Sequence, residues 1–329
     1  MKNSALYFEQ PGRVAVREEE LEKPSDNEVT VKTALSAISA GSEMLFYHGD
    51  VSEGILIDPT LPGLQRRANY PLKYGYSSVG KVIEVGKNIS PEWLGKRVFA
   101  FQSHQRYFNY LADRLIILPA TVSDDDAVFI PNTETAICQV MDGKPKEGET
   151  AVILGQGVVG LLTAALLLEM KLAFLITSDY FPLRRERSLA MGAKLSLHPI
   201  DAPSQVADIT FELTGNPEAL NRAIDATAVG GRIVIGSWYG KRKVELDLSG
   251  HFHRGHITLI SSQVSSIPPS SCSGYNKASR FETVLKLVER IKPSSLITQR
   301  IDFNRAAEAY RLLDKEPAKT IQVVLSYND

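Results

Sequence analysis

Three glycines carry the clearest chemical signal in this chain. Gly155, Gly157 and Gly160 fit G-x-G-x-x-G within Ala151-Val-Ile-Leu-Gly-Gln-Gly-Val-Val-Gly160. Ala151 to Leu154 read as a buried strand, and Leu161 to Leu168 as the apolar helix that follows the turn. In such a unit the first glycine allows a sharp turn. The second lets a pyrophosphate approach the main chain, and the third packs helix against strand. The helix start offers free N–H groups and a positive dipole end. Gln156, Val158 and Val159 complete the phosphate-facing turn. A second strand is expected over Leu172 to Ser178, with Asp179 and Tyr180 at its end. Asp179 lies nineteen residues past Gly160, close to the about 20 expected for an acid on the adenosine ribose. An acid there favours NAD, whereas Arg184 nearby keeps NADP open. Thr214, Gly215 and Gly236, at the ends of later strands, join the cofactor-binding candidates. Ser262 and Gln263 suit the nicotinamide carboxamide through backbone groups.

The elements that must position these residues fall into two patterns. Residues 1 to about 130 read as mostly β, with short runs at 14–17, 28–33, 80–85 and 97–101 punctuated by Pro11-Gly12, Pro62-Gly63, Gly86 and Gly95. Ser123-Asp-Asp-Asp-Ala127 reads as a capped helix start, 130–134 as a bend, and 135–141 as a helix. From Glu149 strands and helices alternate: helix 183–191, strands at 194–197 and 208–212, helix 217–228, and strands at 231–236 and 257–261. This alternation predicts an α/β fold with a doubly wound parallel sheet. Amphipathic helices at 280–291 and 305–314 and a strand at 320–326 end the chain.

Composition narrows the function classes. The 329 residues suit two domains, and 43% hydrophobic with 23% charged residues suits a globular protein. A net charge of −1 gives no reason to expect nucleic acid or an anionic membrane as partner. Cys138 and Cys272 are too few for a disulfide framework, so a cytoplasmic location is expected. The apolar run 151–168 is long, but its three glycines and Gln156 favour strand plus helix over a membrane span.

This plan, with a nucleotide domain set between a β domain and a returning C-terminal segment, resembles the medium-chain dehydrogenase/reductase superfamily. The motifs that carry the resemblance are Gly80-Lys-Val-Ile-Glu-Val-Gly86, Leu94-Gly-Lys-Arg-Val98, Gly148 to Gly157, Asp208 to Gly215 and Gly230 to Gly236. It implies a GroES-like β-barrel catalytic domain over 1–125. It also implies a Rossmann NAD(P)-binding domain over 126–265, a segment 266–329 returning to the first domain, and a homodimer. Gly75-Tyr-x-Ser-Val-Gly80, the pattern at 38–43, Phe252-His-Arg and Ser261-Ser-Gln-Val264 look like the subgroup related to bacteriochlorophyllide dehydrogenases. That subgroup oxidises a hydroxyethyl side chain on a chlorin ring. Ser77 departs from its pattern, which commonly has an acid.

Against zinc-dependent members, Ala40 falls where a cysteine ligand would be, Tyr76 where the histidine would be, and Ser77 where its glutamate would be. No zinc is therefore expected. His251 and His253, spaced by two, would share a face only on a strand; the segment is read instead as a polar approach to strand 257–261. The resemblance puts Ser42 at the superfamily's proton-relay position. Tyr76 supplies a phenol at the vacant ligand position. Tyr47 and His48, read as closing the same loop, extend the relay, and Glu134 orients Tyr76 or a water. The pocket is expected at the C-terminal ends of the parallel strands. Arg66 and Arg67, in a long loop over 51–70, would suit an anionic substrate group.

The expected function is zinc-independent hydride transfer between nicotinamide and a small-molecule secondary alcohol or ketone. Two alternatives stand beside it. One is NADPH-dependent enone or quinone reduction. The other is a non-catalytic NAD(H)-binding sensor or scaffold.

Overall fold

The computed structural model describes residues 1–61, 64–265 and 277–328. Pro62-Gly63 and Cys272 lie outside the described residues. Two compact units divide the chain, one formed by Met1–Pro131 with Leu285–Asp329, the other by Asn132–Val284.

The first unit opens with a hairpin of β1 (Lys2–Gln10) and β2 (Arg13–Glu20). Then follow β3 (Glu28–Ile38), α1 (Ala40–His48), β4 (Ser78–Val85), β5 (Arg97–Ala100), β6 (Tyr107–Leu111), β7 (Ile116–Ile117) and α2 (Asp124–Ala127). Ser123 caps α2, as its acidic first turn predicts, by accepting from the Asp126 N–H. Helix α3 (Ile130–Gly143) carries the chain out of this unit. It begins across the expected bend at 130–134, because Pro131 in the first turn has no needed N–H to lose.

The second unit holds β8 (Thr150–Leu154), α4 (Val158–Leu168), β9 (Phe174–Ser178), α5 (Pro182–Ala190), β10 (Leu195–Leu197), β11 (Ala207–Glu212), α6 (Ala219–Ala226), β12 (Thr227–Ile235) and β13 (Thr258–Ser261). Its strands pair in parallel in the order β10-β9-β8-β11-β12-β13. That is the dinucleotide-binding order, and the direction of winding reverses between β8 and β11. Both faces of the sheet are covered. Val152 and Leu154 pack into one core, Ala151 and Ile153 into the other. The run 151–168 is thus strand, turn and helix. No helix among the described residues is long and apolar enough to cross a membrane. Helix α6 ends at Ala226, short of the expected 228. The Thr227 hydroxyl bonds back to the Ala223 carbonyl, and β12 starts there.

Helix α7 (Lys277–Ile291) returns the chain to the first unit, where β14 (Ile297–Asp302), α8 (Ala306–Lys315) and β15 (Gln322–Ser326) lie. The main sheet of that unit runs β14-β15-β3-β4-β5-β7, with β6 on β3. Strand β3 is its hinge piece. It pairs antiparallel with β4, setting Ser36 opposite Ser78, and antiparallel with β15, setting Ile38 opposite Val323. The end of β3 therefore lies beside the start of β4.

Candidate active site

Each unit presents one polar constellation. In the second unit it sits at the carboxyl ends of β8 and β11. Gly155 has φ +92°, and a side chain there would come within 2.6 Å of the Leu213 carbonyl oxygen. Any side chain on Gly160 would strike the Gly155 carbonyl, so the helix lies directly on the turn. Gly157 faces open space within 4 Å. It is also the N-cap of α4 and supplies no side chain to the first N–H groups of the helix. Free donors, open space and a dipole end together suit a pyrophosphate.

Asp179, 6% exposed, closes this turn. One carboxylate oxygen accepts the Gln156 N–H at 2.7 Å and the other the Phe181 N–H at 2.8 Å. The Arg184 guanidinium stands 3.8 Å from the carboxylate and lies over the Phe181 ring. Burial lowers the pKa of Arg184. Arg185 is held by the carbonyls of Asp179 and Tyr180. The Tyr180 ring is exposed, edge-on to His198. On the far side of the turn, Gly215 has φ +73° and open space beside it, and its N–H donates to the Ser237 hydroxyl. A side chain on Gly236 would strike Gln139. The Ser262 N–H is already bonded to the Ile235 carbonyl, and its hydroxyl to Asp142. That N–H is therefore not open to a carboxamide, because it prolongs the β12–β13 ladder. The Gln263 side chain folds back on Ser265.

Sequence reasoning missed Glu212 here. It is fully buried at the end of β11, where its carboxylate accepts the Thr214 N–H at 2.8 Å, the Thr214 hydroxyl and the Tyr239 hydroxyl. Burial first, then Glu212, raises the pKa of Tyr239.

In the first unit the constellation forms where β3 ends and β4 begins. Ser42, Tyr47 and His48 lie on α1, not on a loop, because Gly49 closes a helix there in the left-handed conformation. Ser39 is the N-cap of α1, but its hydroxyl is not spent on capping. It bonds the Tyr76 hydroxyl instead, and the Ser42 hydroxyl reaches the same phenol at 2.8 Å. The Ser39 N–H is satisfied by Glu43, at 2.7 Å, a capping-box contact taken from one residue further along. Burial raises the pKa of Tyr76 and nearby Glu43 adds to this; the bonds from Ser39 and Ser42 work the other way. Tyr74, beside it, is pushed up by burial as well.

Glu43 is also a missed residue. Its fully buried carboxylate accepts from the Tyr310 hydroxyl and pairs with the His104 Nε2 at 3.0 Å. The His104 Nδ1 lies 2.7 Å from the Ser36 hydroxyl, which lies 2.8 Å from the Tyr327 hydroxyl. The other relay candidates point elsewhere. Tyr47 is buried and stacked on Tyr310, and His48 pairs with Asp314 near the surface at 2.8 Å. Glu134 belongs to the second unit, where it pairs with buried Arg280 at 2.6 Å, so its charge is committed to that arginine.

The donors at the compared ligand positions do not fit zinc. Ala40 offers none, Tyr76 is tied to two serines, and Ser77 donates to the Val128 carbonyl at 2.6 Å. Among the described residues no three His, Cys, Asp or Glu side chains cluster as a metal site. His251 sits in a helical turn over Leu248–Phe252 rather than a strand, and its Nε2 bonds the Thr227 carbonyl at 2.7 Å. The strand geometry that would bring His251 and His253 to one face is absent. In the 51–70 loop, Arg67 donates to the Gly54 carbonyl at 2.6 Å, and burial lowers the pKa of Arg66.

No protein-family model matches the chain. It is similar over 99% of its length, and 99% of the relative's, to the starvation-sensing protein RspB of Escherichia coli K12, at 22% identity. It is 26% identical to (R,R)-butanediol dehydrogenase of Bacillus subtilis, over 69% of this chain and 75% of that one. A short-chain alcohol dehydrogenase of Escherichia coli CFT073, solved in complex with NADH, matches with a TM-score of 0.78 at 21% identity over 99% of both chains. The last likeness establishes the fold, that of alcohol dehydrogenase-like α/β proteins.

Proposed function

We propose that this NAD(P)-dependent oxidoreductase interconverts a secondary alcohol and a ketone, with the Tyr76 phenol rather than a zinc ion at the substrate oxygen. The observation that carries the reading is the grip of Ser39 and Ser42 on the Tyr76 hydroxyl. A hydroxyl has one proton to give and two lone pairs to receive with. When both serines donate, the phenol keeps its own proton for a third partner, the substrate carbonyl.

When bound, the nicotinamide supplies or takes the hydride at the carbinol carbon. Tyr76 acts on the oxygen. As the carbonyl pair moves onto that oxygen, the phenol O–H breaks and the substrate O–H forms. The phenolate recovers a proton from solvent through a serine hydroxyl, which takes one up as it gives one. The raised pKa suits a group that holds its proton until this moment. In the nucleotide unit the glycine turn would take the pyrophosphate and Asp179 the adenosine ribose, which favours NAD. Dehydrogenase relatives along much of the chain support the reaction class. A cytoplasmic homodimer acting on a small-molecule alcohol or ketone, hydroxyethyl chlorins included, belongs to the same reading.

The test is Tyr76→Phe, assayed over alcohols and ketones with NADH binding measured in parallel. A loss of about 10²–10⁴-fold in turnover is expected, with cofactor affinity unchanged. Full turnover in the variant would remove Tyr76 from the chemistry. The name of the RspB relative favours a second reading, a nutrient or redox sensor that binds NAD(H). It requires tight cofactor binding with no turnover across the same panel. A preference for NADPH with enones or quinones would mark the other enzyme alternative.

A further inference from the structure

A metal ion at the compared ligand positions would tie the turn after β3 to the segment before β4. In this chain another device spans the same gap. Glu43 holds the turn through the Ser39 N–H, and it holds His104 by a carboxylate–imidazole contact of 3.0 Å buried to 0% exposure on both sides. His104 in turn lies flush against Gly75, whose φ is +110° and whose missing side chain would come within 2.6 Å of the imidazole Nε2. Tyr76 is the next residue. Tyr310, from α8, adds a hydroxyl donor to the same carboxylate, and Ser36 with Tyr327 occupies the far nitrogen of the ring. Every polar atom of this column has a partner, as burial at this depth demands.

We propose that Glu43 and His104 are positioning residues for Tyr76: the buried carboxylate–imidazole pair clamps the Ser39 turn to the Gly75–Tyr76 segment, so that both serine hydroxyls stay on the phenol. The assignment rests on the proposed role of Tyr76. Neither residue touches the substrate. The clamp explains why Gly75 is bare, and why the capping contact of α1 comes from Glu43 while Ser39 keeps its hydroxyl free for Tyr76.

The test uses the full chain with three variants. His104→Ala removes the clamp. His104→Gln keeps an amide donor for Glu43. Glu43→Gln keeps the acceptor and removes the charge. A displacement of order 1 Å at a reacting group costs about 10²-fold in rate. His104→Ala is therefore expected to lose about 10²-fold in kcat with NADH binding unchanged, and His104→Gln to recover most of it. The second readout needs no turnover. Tyrosinate absorbance of Glu43→Gln, minus that of Glu43→Gln/Tyr76→Phe, isolates the ionisation of Tyr76. The groups facing it are Glu43 on α1 and the neighbouring Tyr74, on which Asp58 acts, with Tyr310 and His104 behind the carboxylate. Without the Glu43 charge, Tyr76 should ionise at lower pH than in the wild type. Wild-type kcat in His104→Ala, or a Tyr76 titration unmoved in both Glu43→Gln and His104→Ala, would overturn the clamp. Full turnover in Tyr76→Phe alone would instead sink the catalytic reading while the titration still reported the pair.

Discussion

Tyr76 is governed by influences of opposite sign on one oxygen. Removal from water disfavours the phenolate, and the buried Glu43 charge adds to that; two seryl hydroxyls favour it. The net effect is upward. In the proposed mechanism the reactive form in ketone reduction is the protonated phenol, so its contribution is complete below the raised pKa and is lost as pH rises through it. Reduction should therefore stay level from neutral pH to beyond the ordinary phenol value of about 10, then fall. A kcat/KM profile for the ketone, compared with that of Tyr76→Phe, measures this directly. An alkaline limb well below that value would mean that the phenol is not the proton donor. Ser42 and Tyr76 were legible in the sequence because the turn and the segment before β4 carry recognisable patterns. Ser39 was not, since a serine ahead of a helix reads as an ordinary cap. Glu43 and His104 were hidden for a different reason. Their partners lie 61 and 267 positions apart in the chain, and only the folded sheet brings them together.

At the scale of elements, the glycine turn separates folding from binding. Gly160 is pressed on the Gly155 carbonyl, whereas Gly157 faces open space. Gly160→Ala forces backbone apart and should cost about 1–3 kcal/mol of stability. Gly157→Ala meets nothing in the protein, so its Tm should hold. Its methyl would instead enter the open space proposed for the pyrophosphate and weaken NADH binding on the order of tenfold, about 1.4 kcal/mol. Thermal unfolding with and without NADH distinguishes the two. Equal loss of Tm in both variants would show that the turn has no cradle. The strand–turn–helix unit was readable because its signals are local: an apolar run, three glycines and an acid at the next strand end. Elsewhere local reading failed where a long-range contact or cap decides. The 130–134 segment holds a proline, yet α3 begins there. Strand β14 has a mixed pattern and exists because β15 lies alongside it. The 42–48 segment looked like a loop until the left-handed Gly49 closed it as a helix.

At the scale of the molecule, the groups able to bind a transition metal are, among the described residues, largely spent on structure. His104 serves the Glu43 pair, His48 the Asp314 pair, and His251 a backbone carbonyl. The His198 ring accepts the Ile200 N–H, capping a short turn. Cys138 is buried beside Arg280, and burial pushes its thiol up to about 11, which keeps it protonated and a poor ligand at neutral pH. Carboxylates follow the same economy. Glu134 is held by Arg280, and Glu212 by Thr214 and Tyr239. A zinc ion needs several deprotonated ligands converging within bonding distance, and recruiting Glu43, His104, Glu134 or Glu212 would break pairs that are buried. Prolonged dialysis against a strong chelator is thus expected to change neither Tm nor turnover, and elemental analysis should find far less than one zinc per chain. Equimolar zinc that resists dialysis, with turnover lost on its removal and restored on its return, would overturn the metal-free reading and return the substrate oxygen to a Lewis acid.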